Sequence, residues 1–104
     1  MTPPRYTDHM QVIDLFRTSH HERYIQLMKC VDNDTVRAII EIVLNVYKGD
    51  IHLSTEDVEV FKKYTHVFRT LTSVRHSLPS KRKILSDNSH LVSRVIRVFN
   101  KSLK

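Results

Sequence analysis

Residues 34–48 read Asp-Thr-Val-Arg-Ala-Ile-Ile-Glu-Ile-Val-Leu-Asn-Val-Tyr-Lys, and their spacing decides the fold class. Val36, Ile39, Ile40, Val43, Leu44 and Tyr47 fall at i, i+3, i+4, i+7, i+8 and i+11, which is one face of an α-helix. Ala38, Ile42 and Val46 widen that face until little polar surface remains. A helix apolar on most sides belongs in the middle of a packed set of helices. Asn33 or Asp34 is expected to cap its start, and Gly49 to end it in the left-handed conformation.

The neighbouring segments read as helices too. Ser54-Thr55-Glu56-Asp57 approximates a capping box, with Leu53 and Val58 placed as a hydrophobic staple. Val58, Phe61, Tyr64, Val67 or Phe68, and Leu71 then predict one helix running to Arg75, acidic at its start and basic at its end. Ser77-Leu78-Pro79 breaks the chain, and a short basic helix is expected over 80–85. A last helix over 89–102 puts Leu91, Val92, Val95, Ile96 and Phe99 on one side and Arg94, Arg97, Lys101 and Lys104 on the other. Upstream, a helix over 8–17 capped by Thr7 turns Met10, Ile13 and Phe16, or Val12 and Leu15, inward. A second over 20–30 opens on the capping box Ser19-His20-His21-Glu22 and carries Tyr24, Ile25, Leu27 and Met28. The expected fold is all-α, a compact bundle of five to six short helices around a central apolar helix. Residues 1–104 form one domain, with residues 1–6 as a loose tail.

Composition supports this class. The chain is 40% hydrophobic and 27% charged, normal for a globular domain. One glycine and three prolines argue against a turn-rich β fold. The single cysteine, Cys30, excludes an intrachain disulfide and is expected to pack at the end of the second helix. No apolar run approaches the ~20 residues that span a bilayer, so no membrane partner is expected. The start, MTPPRYTDHM, lacks the basic and apolar regions of a signal peptide, so secretion is not expected.

Chemistry finds little to build on. His20 and His21 point ~100° apart on a helix, and His52, His66, His76 and His90 are scattered over other elements. No HExxH, CxxC or H-x₃₋₅-H spacing occurs, and no metal or other cofactor is expected. Cys30 has no base or orienting acid nearby in sequence, and neither a G-x-S-x-G turn nor a glycine-rich phosphate loop is present. The chain is therefore not expected to be an enzyme.

Charge is the sharper signal. Residues 1–61 hold six Lys+Arg and ten Asp+Glu, a net of −4; residues 62–104 hold eleven Lys+Arg and one acid, Asp87, a net of +10. Dipole complementation in the 54–75 helix explains part of this step. The triplet Lys81-Arg82-Lys83 and the stripe Arg94, Arg97 and Lys101 remain. Together with Lys62, Lys63, Arg69 and Arg75 they are expected to converge on one surface that meets nucleic acid through its phosphates, or an acidic protein surface. No aromatic residue except Phe99 interleaves with the C-terminal basic cluster, so stacking on single-stranded bases is not suggested and binding would be independent of sequence.

From Ile39 onward the order of features resembles the small basic proteins encoded by adintoviruses and Polinton/Maverick elements. The residues that carry the resemblance are Glu41-Ile42-Val43-Leu44-Asn45-Val46-Tyr47-Lys48-Gly49-Asp50-Ile51-His52-Leu53-Ser54, then Lys63-Tyr64-Thr65-His66-Val67-Phe68-Arg69-Thr70-Leu71, then Ser77-Leu78-Pro79-Ser80-Lys81-Arg82-Lys83-Ile84-Leu85. Ser86-Asp87-Asn88-Ser89-His90 departs from that family, which continues into a glycine-rich stretch. The resemblance implies a virus-derived, non-enzymatic protein of the virion or the host nucleus or cytoplasm, in a core or packaging role. The competing reading is a protein-interaction module: a homo-oligomer that self-associates head to tail in the manner of death-fold domains, an adaptor, or a capsid cement protein. A histone-like handshake dimer fits less well, because its central helix would be longer than 34–48.

Overall fold

The structure, a computed structural model, describes residues 5–49 and 51–102. Seven helices follow one another: α1 (Arg5–Thr18), α2 (His21–Cys30), α3 (Asn33–Tyr47), α4 (Thr55–Lys62), α5 (Thr65–Thr72), α6 (Leu78–Asp87) and α7 (Ser89–Ser102). No strand occurs among the described residues. The radius of gyration is 12.8 Å, close to the ~13 Å of a compact 100-residue chain.

Most helix ends follow from local chemistry. At α3 the cap is Asp32, one residue before the expected pair; its carboxylate accepts from Thr35 N at 2.9 Å and Thr35 Oγ1 at 2.7 Å. Gly49 takes φ +79° just beyond α3, as its position in sequence predicts. Ser54 Oγ accepts from Asp57 N at 3.1 Å and donates to the Asp57 carboxylate at 3.0 Å, closing the box that opens α4. Ser77 Oγ accepts from Ser80 N, and Pro79 sits in the first turn of α6. That helix runs over Leu78–Asp87, longer at both ends than residues 80–85.

Three expectations are corrected. α2 has no side-chain cap: Ser19 Oγ donates back to Leu15 O at the end of α1, leaving His20 as the capping position. α1 starts at Arg5, because Arg5, Tyr6 and Thr7 contain no helix breaker; two positions assigned to the tail are helical, while residues 1–4 lie outside the described residues. The helix expected from 54 to 75 is two helices. Lys63 N and Tyr64 N bond to Val60 O and Phe61 O, a tightened last turn, and Tyr64 leaves helical geometry at φ −115°, ψ 22°. Thr65 Oγ1 then donates to Lys62 O, a carbonyl near the end of α4. Packing accounts for the break. In a straight helix, residues 61 and 68 lie ~10 Å apart along the axis. Here the Phe61 and Phe68 ring centroids are 5.5 Å apart at 75°, and Phe68 also stacks on Tyr47 at 5.3 Å and 7°. This break takes the six expected segments to seven helices; α5 itself ends at Thr72, short of Arg75.

α3 packs against α1, α5, α6 and α7. Its buried side chains are Thr35, Val36, Ala38, Ile39, Ile42, Val43 and Val46. Tyr47, expected inward, is 40% exposed at the rim. Ile13 and Phe16 carry the inner face of α1, Tyr24 and Met28 that of α2, and Leu91, Val92, Val95, Ile96, Val98 and Phe99 that of α7. Tyr24 is the largest fully buried side chain; its hydroxyl donates to Leu85 O at 2.6 Å, and burial pushes its ionisation far to the alkaline side. Cys30 is exposed rather than packed. The end of α2, turning straight into α3, leaves it outside the core.

Candidate nucleic-acid interface

Helix α7 is the most strongly two-sided element. With its apolar side chains turned inward, His90, Ser93, Arg94, Arg97 and Lys101 fall at i, i+3, i+4, i+7 and i+11 on the outer face. Lys104, the remaining base of the expected stripe, lies outside the described residues. α1 flanks this face on one side: Asn100 Nδ2 donates to Asp14 Oδ1 at 3.3 Å and Ser93 Oγ to Phe16 O at 3.4 Å. The start of α4 flanks it on the other. There Arg94 Nη1 meets Asp57 Oδ1 at 2.8 Å, with Glu56 Oε1 4.0 Å from Nη2.

These acids set the electrostatics. Burial raises the Asp57 carboxyl, but hydrogen bonds from Arg94 and Ser54 and the charges of Arg94 and Arg97 outweigh it and hold the group below the usual carboxylate range. Arg17 Nε donates to Asp14 Oδ1 at 2.8 Å and holds that carboxyl low in the same way. Two arginines are thus fixed from behind by carboxylates, while Arg97 is exposed and makes no ion pair among the described residues.

A groove of about 710 Å³ is lined by Met10, Gln11, Asp14 and Arg17 of α1 and by Arg97, Asn100 and Lys101 of α7. Beside it a hollow of about 330 Å³ is lined by Arg17, His90, Ser93, Arg94 and Arg97. They share Arg17 and Arg97, so they form one track. From His90 to Lys101 it follows α7 for ~16 Å.

Of the six bases singled out in the sequence, Arg94, Arg97 and Lys101 lie on this track. Lys81, Arg82 and Lys83 lie on α6 and line neither hollow. Arg82 is not a free surface cation. Its Nη1 donates to Met28 O at 2.6 Å and Val31 O at 2.8 Å, and its Nη2 to Asn33 Oδ1 at 2.9 Å. It caps the carbonyl end of α2, where a cation complements the helix dipole. Lys83 Nζ is 3.5 Å from Asp87, four residues on, and both are exposed. Lys62, Lys63, Arg69 and Arg75 are exposed but line neither hollow. The base that sequence reasoning missed is Arg17. Its local signal, Asp14 three residues earlier, marks only an ordinary helix ion pair.

Among the described residues no group of three His, Cys, Asp or Glu side chains could hold a metal ion, and no helix is long and apolar enough to cross a membrane. His21 Nδ1 is 2.9 Å from Ser89 Oγ and His9 Nδ1 is 3.2 Å from Thr35 Oγ1, so these two rings tie helices together. No protein-family model, curated protein or solved structure matches the chain.

Proposed function

We propose that this protein binds nucleic acid without sequence specificity along the track between α1 and α7, and that its role is non-enzymatic. The observation that carries the reading is the meeting of three arginines, Arg17, Arg94 and Arg97, in one hollow that continues toward Lys101. Asp14 and Asp57 each hold one guanidinium in place, and each base brought onto a phosphate releases counterions. The ~16 Å track offers four bases, Arg17, Arg94, Arg97 and Lys101, for phosphate contacts. The acids beside it keep the face from being uniformly cationic, which favours a few defined phosphate contacts over a diffuse polyanion sink. A core or packaging role for a virus-derived protein, in the virion or the host nucleus or cytoplasm, is the setting this activity and the adintovirus resemblance together suggest.

Fluorescence anisotropy with random duplex DNA tests the reading. Binding at ~50 mM salt should weaken with rising salt, and Arg97→Gln with Lys101→Gln should lower the slope by ~0.9 for each phosphate the variant no longer neutralises. Absence of binding at low salt, or a slope unchanged in the double variant, refutes it.

A second reading is a self-associating interaction module, for which the α5–α6 turn offers one exposed apolar side chain to test. Val74 stands 99% exposed there beside Arg75 and His76. Light scattering without nucleic acid separates the two: growth of the particle with concentration, abolished by Val74→Ser, supports the module.

A further inference from the structure

The two hollows of the track differ in what they can hold. The larger has a carboxylate, Asp14, in its wall. The smaller has none: its wall is Arg17, His90, Ser93, Arg94 and Arg97. A guanidinium offers five donors, and the ion pairs leave most of them unused. Arg17 gives Nε and Nη2 to Asp14, and Arg94 gives Nη1 to Asp57, with its Nη2 4.0 Å from Glu56 Oε1. Both planar groups are therefore held in place while further N–H groups stay available, and Arg97 is uncommitted to any ion pair among the described residues.

That arrangement exceeds what an internal phosphodiester requires. A diester carries one negative charge, whereas a phosphomonoester carries ≈ −1.5 to −2 at neutral pH and has three strong acceptor oxygens. Converging guanidinium forks suit such an ion better than flexible lysines do. We propose that the hollow between Arg17, Arg94 and Arg97 is a phosphomonoester site, and that it takes the terminal phosphate of a nucleic-acid strand whose backbone continues along the groove toward Lys101. The strand as carrier rests on the function proposed above; the preference for a terminal phosphate is a property of this hollow alone.

The experiment compares one oligonucleotide with a 5′-phosphate, a 3′-phosphate or hydroxyls at both ends, using anisotropy at constant salt. A phosphorylated end should tighten binding about tenfold. In a His90→Gln background, which leaves no imidazole in the wall, the gain should fade as the pH drops below ~6 and the terminal phosphate loses its second charge. Arg97→Gln, a change at an exposed side chain, should abolish the preference, and Lys83→Gln should keep it. Inorganic phosphate should compete with the phosphorylated strand more strongly than with the hydroxyl strand. Equal affinity for all three strands overturns the terminal-phosphate site while leaving backbone binding standing, as does a preference that survives Arg97→Gln. Failure of every strand to bind overturns both readings. In that case an Arg97-dependent rise in melting temperature with inorganic phosphate would assign the hollow to a free phosphate compound and remove the strand as its carrier.

Discussion

Replacing Arg82 with alanine removes the three hydrogen bonds that join α6 to the junction of α2 and α3, to Met28 O, Val31 O and Asn33 Oδ1. Hydrogen bonds to a charged group contribute ~1.5–3 kcal/mol each. The Asn33 amide is exposed and water can replace Arg82 there, so only the two carbonyl bonds count fully. Arg82 is itself half-buried, which puts both at the low end of that range. The expected loss is ~2–3 kcal/mol, a large share of the ~5–15 kcal/mol that holds a typical domain together. In urea, with a slope near ~2 kcal/mol per molar, the midpoint should fall by ~1–1.5 M. Lys81→Ala and Lys83→Ala, one on each side, should stay within ~0.5 kcal/mol of the parent. Arg82→Lys keeps the charge but loses the fork and should recover less than half of the deficit. An Arg82→Ala variant as stable as Lys83→Ala would refute the assignment of Arg82 to the architecture. Full recovery in Arg82→Lys would show that one ammonium can serve the two carbonyls that Nη1 serves here, and that the planar guanidinium is not what matters. In either case the folded Arg82→Lys protein should bind duplex DNA with parental affinity.

Acid should weaken the fold in a predictable window. Asp14, Asp32 and Asp57 are each held below the ordinary carboxylate value when folded, so the unfolded chain takes up protons first. Their stabilisation is complete above about pH 5 and is lost as the pH falls through their folded values below ~4. Urea midpoints between neutral and acid pH should show this decline, and Asp57→Asn should make it shallower while lowering the neutral-pH plateau. Gly49→Ala should cost ~1–2 kcal/mol in thermal denaturation, because φ is +79° there and an added Cβ would meet nothing within 4 Å. Gly49→Asn should cost less.

What could be read from the chain in advance was chemistry confined to a few neighbouring residues. The Ser54 box, the Ser77 turn and the Gly49 terminus involve atoms no more than four positions apart, and they stand where the pattern put them. The α3 cap is displaced by one residue, to Asp32, because Thr35 supplies both a backbone and a hydroxyl donor to it. The break at Tyr64 was not legible, since Val58, Phe61, Phe68 and Leu71 keep helical spacing across it; the ring contacts of Phe68 with Phe61 and Tyr47 accompany it and are tertiary. The site divides similarly. The α7 bases were legible because seven buried residues of that helix leave them nowhere else to point. Arg82 was misread because its partners lie 49, 51 and 54 residues upstream. Arg17 was missed because its place beside Arg97 depends on α1 and α7 being neighbours, which no local spacing encodes.

That adjacency of α1 and α7 also bears on how the protein is made. Residues 5–18 and 89–102 lean on each other, with bonds such as Ser93 to Phe16 and Asn100 to Asp14 spanning 77 and 86 positions. While the ribosome is still adding residues before Ser89, the apolar sides of α1 and α3 have nothing of α7 to cover them. Closure waits until residues 89–102 have cleared the exit tunnel, and until then the segment before them is open to chaperones and proteases. A variant cut shortly before Ser89 should be cleared or aggregate rather than form a smaller working protein.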